Sequence, residues 1–244
     1  MRLEGKRILV TGASRGLGEA LTLAFAEAGA REIVAGTRKQ EDRDKLAIAS
    51  ARIDGKIVPV QLDVTKDDEI RAVAESGTFD VLVNNAGVAG FGNPLTMELN
   101  LVLNELEVNY VGALRMIRAV APGMIAQRDG IIVNIGTAFA KVNLPLIGTY
   151  CATKAALLSL GQAVRAHLRD DNVRVVTVLP TTIDTDMSRG ADVPKMTKEF
   201  VAQEILSAIR EERHDPPIGD DAKGLLDQLS KDPIAVEKML MTAK

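Results

Sequence analysis

The amino-acid sequence predicts an α/β fold, a doubly wound parallel sheet of six or seven strands with helices on both faces. Three observations predict it. Short apolar, β-branched runs alternate with longer stretches of helix-forming residues. The short runs are continuously apolar, as strands covered on both faces must be, and lack the alternation of half-exposed strands. Strand followed by helix recurs six times, an order that joins parallel strands through right-handed crossovers.

In chain order, "RILVTG" predicts the first strand and residues 16–28 the first helix. "EIVAGT" precedes a helix over 41–52, "IVPVQLD" one over 66–76, and "DVLVNN" a long one over about 97–127. "GIIVNIG" leads into 150–169, and "VRVVTVLP" into a helix near 197–212. From His214 the pattern is less regular. "DPPIG" fits a seventh strand only at a sheet edge, because proline withholds a ladder donor. "DDAKGLLDQLSKDPIAVEKMLMTAK" reads as one or two short helices, the last beginning near Pro233. No proline-rich linker, repeat or composition shift interrupts the series, so residues 1–244 read as a single domain.

The chain has 244 residues, 46% apolar and 26% charged, an ordinary composition for a globular protein. Aromatics are 3%, tryptophan is absent and the net charge is −3, which argues against stacking platforms or phosphate-tracking grooves for nucleic acid. "MRLEGKRILVTG" carries no secretion-signal pattern and no apolar run approaches a membrane span, so a cytoplasmic protein without membrane partners is expected. Cys151 is the only cysteine, which precludes an internal disulfide and suits a reducing compartment. It reads as a small, half-buried residue in preference to a redox site. The two histidines, His167 and His214, have neither metal-ligand spacing nor a serine elbow beside them, so a histidine-based hydrolase or zinc dehydrogenase lacks its parts.

"TGASRGLG" follows the first strand and opens the first helix. In a parallel sheet that corner offers unpaired helix N–H groups to a pyrophosphate. Gly12 would allow the tight turn, Gly16 the approach of phosphate, and Gly18 close packing of helix on strand. Ser14, Arg15 and Leu17 complete the binding loop. At the end of the second strand an NAD-binding chain would carry a carboxylate, but this one has "GTRK" and no acid until Glu41. Thr37 and Arg38, with Arg15, can bond and neutralise a 2′-phosphate, which predicts NADP as cofactor. Asp63, followed by Val64 at the end of the third strand, is suited to the adenine amine or to capping the helix that starts near Lys66.

In "TYCATKAA", Tyr150 and Lys154 stand four residues apart in a helical stretch, which makes a phenol and an ammonium neighbours on one face. Taken together, "TGASRGLG", "NNAG" at 84–87, Asn109 and "TYCATKAAL", in this order and spacing, resemble the short-chain dehydrogenase/reductase family in its compact single-domain form. The resemblance covers roughly residues 5–190. It implies a Rossmann-type sheet, hydride transfer between a nicotinamide and a carbonyl or alcohol carbon, and a tetrad matched by Asn109, Thr137, Tyr150 and Lys154. It also implies cofactor contacts from Asn85, Ala86, Gly87, Tyr150, Lys154, Pro180, Thr182 and Thr185.

The residue types suit that chemistry. Carbonyl reduction creates an alkoxide that needs a proton donor within hydrogen-bond reach. A phenol with a pKa of about 10 is a reluctant base for the reverse reaction, and a neighbouring ammonium is expected to lower it. Lys154 would also hold the nicotinamide ribose. By resemblance Asn109 holds a water linking Lys154 to solvent; its bland alternative is a helix-interior amide satisfied by backbone.

The chain departs from the family pattern at several points. Thr137 stands where a serine is expected, keeping the hydroxyl but adding a methyl group, at an interval of thirteen residues from Tyr150. Pro180-Thr181 replaces the usual Pro-Gly, and the glycine-rich last strand of many relatives has no counterpart. Residues 181–197 read as a mobile substrate loop, with Met187 and Met196, together with Phe91, Phe139, Val142 and Leu144, as an apolar lining. The expected function is NADP-dependent oxidoreduction of a small, largely apolar carbonyl or alcohol substrate. A non-catalytic sensor or scaffold with the same fold is the alternative, favoured by Thr137. Too little chain remains for the sugar-binding domain of an epimerase.

The helix carrying Tyr150 has two stripes. Leu157, Leu160, Val164 and Leu168 form one, and Ala152, Ala156, Ser159, Ala163 and Ala166 the other. A helix covering one face of a sheet needs only one, which predicts a helix-to-helix contact in a homodimer or homotetramer.

Overall fold

The computed structural model describes residues 2–51 and 56–241. Residue 52 of the expected second helix and residues 242–244 of the tail lie outside them. Seven strands form one parallel sheet in the order β3-β2-β1-β4-β5-β6-β7. They are β1 (Arg7–Thr11), β2 (Glu32–Thr37), β3 (Ile57–Gln61), β4 (Val81–Asn84), β5 (Gly130–Ile135), β6 (Val173–Pro180) and β7 (Pro217–Ile218). The helices are α1 (Gly16–Glu27), α2 (Gln40–Ala51), α3 (Asp67–Glu75), α4 (Leu99–Leu106), α5 (Ala113–Gln127), α6 (Gly148–His167), α7 (Lys198–Arg210), α8 (Asp220–Lys231) and α9 (Pro233–Met241).

Continuous apolar strands serve two cores because successive side chains leave on opposite faces. Ile8, Val10, Ile33, Val83, Val133 and Val178 pack with Leu21 and Phe25 of α1 and Val201 and Ile205 of α7. Leu9, Val34, Leu82 and Ile132 pack instead with Ile70 of α3 and with Met116, Val120 and Met124 of α5. The alternation is 8 against 9 and 82 against 83, so the strand register also decides which helix each residue meets.

The chain begins in the middle of the sheet, winds outward to β3, and returns to place β4 on the other side of β1. Winding therefore reverses between β1 and β4. Loops leaving the carboxyl ends of those two strands diverge and open a crevice, where ligands of such sheets bind. At the far edge, β7 pairs Leu179 with Pro217 and Pro180 with Ile218, the position that its prolines allow.

The long helix expected over about 97–127 is continuous but not uniform. One turn of π-helix (Glu107–Gly112) separates α4 from α5 and contains Asn109. Such single-turn bulges insert a residue and turn the helix face locally. Among the described residues no helix is long and apolar enough to cross a membrane.

Candidate active site

The crevice is stapled at its base by Thr11 and Asn85. The Thr11 hydroxyl donates to the Val83 carbonyl (3.2 Å) and accepts from the N–H groups of Asn85 and Ala86, both at 3.0 Å. The Asn85 amide donates to the carbonyls of Thr11 (2.9 Å) and Gly12 (3.0 Å). Asn85 thus fixes the glycine loop, and its neighbour Ala86 lies under Gly12.

Gly12 and Gly16 both take positive φ, 65° and 57°. A Cβ on Gly18 would lie 2.2 Å from the Gly12 carbonyl oxygen, so helix and loop touch there as backbone on backbone. Leu17 turns its side chain into the core. Arg15 is the N-cap residue of α1, yet its side chain makes no cap. The first N–H groups of α1 are therefore left to face the crevice beside Ser14, in a space that side chains would fill. That arrangement fits a pyrophosphate.

Around it, a cavity of about 440 Å³ is lined by Arg15, Gly16, Thr185, Arg189, Lys195 and Lys198, among others. Arg15 donates to Asp186 (3.1 Å), which also accepts from Arg189. Lys198 pairs with Glu19 at 2.7 Å, and that bond outweighs desolvation to hold its pKa above the ordinary lysine value. At the end of β2, Arg38 is exposed, whereas Thr37 is buried and its hydroxyl donates to the Lys39 carbonyl at 3.4 Å.

Of the two alternatives for Asp63, the cap is not formed. Its Oδ1 accepts from the N–H (2.9 Å) and hydroxyl (2.8 Å) of Thr65, and the N-cap of α3 is Lys66. Val64 is buried, and a Cβ on Gly112 would lie 2.6 Å from its side chain.

The other wall is built from side chains. Asn109 is 1% exposed, with Oδ1 accepting the Val88 N–H and Nδ2 donating to the Val88 carbonyl and to the Thr153 hydroxyl, each at 2.9 Å. Its amide is satisfied mostly by backbone and clamps the loop after β4. Thr153 in turn donates to the Tyr150 carbonyl (2.7 Å), a link between Asn109 and Tyr150 that no sequence motif indicated. A Cβ on Gly87 would lie 3.2 Å from Asn109 Oδ1 and 3.6 Å from Lys154 Nζ, so these three residues converge.

Lys154 is 4% exposed, its Nζ donates to the Ile135 carbonyl (2.8 Å), and that Nζ lies 5.6 Å from the centroid of the Tyr150 ring. Burial pulls its pKa down to about 8. Tyr150 moves the other way: burial, then Cys151 and Glu105, push its phenol well above the ordinary value. Burial outweighs the lowering expected from Lys154, whose ammonium donates to the Ile135 carbonyl.

Thr137 is buried, with its hydroxyl donating to the Pro180 carbonyl (3.0 Å) and accepting from the Phe139 N–H (3.3 Å). Cys151 is fully buried rather than half-buried, and burial raises its thiol.

Beyond β6 the expected mobile loop is tethered. The Thr182 carbonyl accepts from the Met196 N–H (3.0 Å), Ile183 pairs with Met196, and Thr185 packs against Gly16. Met196 is part-buried and packs on the core, and a Cβ on Gly219 would lie 2.4 Å from its sulfur. Met187 and Phe91 are exposed, and Phe139, Val142 and Leu144 are half-buried. Among the described residues no cluster of histidine, cysteine or acidic side chains could hold a metal ion.

A bare helix start at the winding reversal of a parallel sheet, with a phenol and an ammonium one helical turn apart beside it, defines a dinucleotide-dependent oxidoreductase site. The chain belongs to the short-chain dehydrogenase family, whose model matches residues 6–194. Members of this family use nicotinamide cofactors. The chain is 35% identical to a 3-oxoacyl-acyl-carrier-protein reductase of Thermotoga maritima, over 84% of each chain. It is 30% identical to an NADP-dependent 3-hydroxy acid dehydrogenase of Schizosaccharomyces pombe, over 85% of this chain and 88% of the relative. A crystal structure of a short-chain dehydrogenase from Burkholderia cenocepacia in complex with NADP superposes with a TM-score of 0.92 at 34% identity, covering 99% of this chain and all of that one.

Proposed function

We propose that the chain is an NADP-dependent carbonyl reductase or alcohol dehydrogenase for small, largely apolar substrates. In this reading residues 1–244 form one cytoplasmic, cofactor-binding domain with a substrate loop over about 181–197. The observation that carries it is the convergence of Tyr150, Lys154, Asn109 and Gly87 beside the bare start of α1. NADP is supported by "GTRK" at the end of β2 and by the cofactor in the Burkholderia cenocepacia relative.

When bound, the dinucleotide supplies hydride to the carbonyl carbon or accepts it from the alcohol. Tyr150 gives the proton to the substrate oxygen in reduction and takes it back in oxidation. Lys154 is mostly protonated at neutral pH, given its pKa of about 8, and would hold the nicotinamide ribose in place of the Ile135 carbonyl. Asn109 holds the loop after β4 in register with both. Gly12, Ser14, Arg15, Gly16, Leu17 and Gly18 bind the pyrophosphate, and Thr37 and Arg38 the 2′-phosphate side. Asp63, Val64, Asn85, Ala86, Pro180, Thr182 and Thr185 complete the cofactor contacts. Thr137 meets the substrate oxygen once its hydroxyl rotates off Pro180. That occupied hydroxyl is the one observation favouring a non-catalytic sensor.

Screening NADPH oxidation against aldehydes, ketones and diketones separates the two. Turnover supports the enzyme, and binding without turnover across the panel supports the sensor. Tyr150→Phe should lower kcat/KM for the best ketone roughly 100- to 10,000-fold while NADPH still binds. An undiminished rate would sink the mechanism.

We also propose a homo-oligomer. Ala152, Ser159, Ala163 and Ala166 of α6 are exposed, as are Leu99 and Leu103 of α4, so no element among the described residues covers them. A dimeric or tetrameric mass in light scattering is expected at micromolar concentration, and a monomeric mass would remove the contact.

A further inference from the structure

Near the end of β2 an arginine is held in place by neutral groups. Arg43 lies in the first turn of α2 and is half-buried. Its guanidinium donates to the side-chain oxygens of Gln61 and Gln40, the latter at 2.6 Å. Each glutamine turns its own amide N–H groups the other way, Gln40 to Asp44 (2.7 Å) and Gln61 to Glu69 (3.1 Å). The two acids thus stand one side chain away, and among the described residues no carboxylate lies within ion-pair distance of Arg43. Arginines that pin the sheet elsewhere are neutralised as they are held, Arg7 by Glu32 and Arg165 by Asp215. Amides orient Arg43 and leave its charge uncompensated.

Its place in the fold decides what that charge meets. Gln61 ends β3 and pairs in register with Thr37, the last residue of β2. The Lys39 carbonyl accepts from the Thr37 hydroxyl (3.4 Å) and from the Arg43 N–H (3.3 Å). Backbone and guanidinium of Arg43 are therefore both tied to the corner at Thr37 and Lys39, the side given above to the 2′-phosphate. The two arginines that the sequence assigned there are placed differently. Arg15 is engaged with Asp186, and Arg38 is exposed, with no hydrogen bond or ion pair among the described residues. A guanidinium offers five N–H donors in a planar fork. Two are in use on Arg43, so others remain for an arriving phosphate, and the side chain is already ordered before it arrives.

We infer that Arg43 is a specificity-determining residue that receives the adenosine 2′-phosphate of NADP, with Gln40 and Gln61 aiming it. The inference rests on NADP being the cofactor and on its 2′-phosphate lying at the Thr37–Arg38 corner. NAD carries a hydroxyl in that place and gains little from the charge, so Arg43 acts on the difference between the two cofactors.

Equilibrium titration of the cofactor-free chain with NADPH and with NADH, followed by the fluorescence of the reduced nicotinamide, reads that difference without turnover. Arg43→Gln should weaken NADPH binding roughly 10- to 100-fold and leave NADH binding unchanged. Adenosine 2′,5′-bisphosphate, which has the 2′-phosphate and no nicotinamide, should lose as much as NADPH, and adenosine 5′-phosphate nothing. Arg43→Lys keeps the charge without the fork and should recover part of the loss. Gln40→Glu keeps Arg43 and sets a carboxylate on it. An acid suits the first turn of a helix, so this variant reads the same quantity even where the Arg43 variants fail to fold, and it too should weaken NADPH alone. Equal losses for both cofactors would assign Arg43 to the fold, and unmoved NADPH binding in a folded variant would remove it from the site; either result overturns the inference. A parent chain that binds NADH as tightly as NADPH is a separate failure, that of the NADP reading itself.

Discussion

Between β1 and α1 the working surface is backbone: two glycines at positive φ, a third pressed on a carbonyl, and a row of N–H groups with no side-chain cap. Between β5 and α6 it is side chain: Thr137, Tyr150 and Lys154, with Asn109 reaching in from the facing helix. The first corner works by leaving space, and its geometry is fixed by what cannot fit. The second works by burying polar groups, and its properties come from what surrounds each one. The two corners should therefore fail in different ways.

The largest effect is expected at the first corner. Gly18→Val puts atoms where the Gly12 carbonyl lies 2.2 Å from the Cβ position, and backbone cannot yield as a side chain does. Loss of NADPH binding by more than 100-fold, or loss of soluble protein, is expected. Tight binding measured by fluorescence titration would show that the corner tolerates bulk.

The second corner should reveal itself through pH. Burial lowers the Lys154 pKa to about 8 from an ordinary 10.5. Between those values the unfolded chain binds more protons than the folded one, so stability rises with pH across that window, and the burial cost is fully present below it. Lys154→Met lacks the group. The cofactor-free parent should gain on this variant by about 3 kcal/mol between pH 8 and 10.5 in denaturant titrations. Parallel stability curves would mean that Lys154 is better solvated than its position indicates.

A smaller effect is expected at the rim of the first corner. Arg38 is exposed, and Arg38→Asp should turn the NADP-to-NAD preference about tenfold toward NAD by placing a carboxylate at the 2′-phosphate side. Ratios of kcat/KM for the two cofactors measure it, and a parent that already prefers NAD would remove the reading of "GTRK".

The same contrast explains what the amino-acid sequence made legible. Gly12, Gly16 and Gly18 could be read because a positive φ or a backbone contact leaves almost no other residue type. Tyr150 and Lys154 could be paired because helical spacing is local. Six strands were visible as apolar runs, while the sequence makes a seventh optional and, because of its prolines, confines it to an edge. By contrast, the turn of π-helix at Asn109 has no compositional mark, since inserting one residue changes the face presented and not the propensity. The rotation of Lys154 onto Ile135 and of Thr137 onto Pro180 depends on strands that are distant in sequence.

On the proposal that residues 181–197 cover the substrate, the bridge between Ile183 and Met196 changes what substrate binding has to achieve. The ends of that segment are already joined, with Asp184 donating to the Met196 carbonyl (2.8 Å) and the methionine sulfur seated against Gly219. The entropy of bringing them together is spent when the chain folds, so ordering the interior over an arriving molecule draws only on local freedom. Lengthening the interior is correspondingly cheap, at about 0.6 kcal/mol for each doubling. Substrate preference could thus drift through insertions and substitutions between the two anchors while the sheet and the proton-handling residues remain as they are.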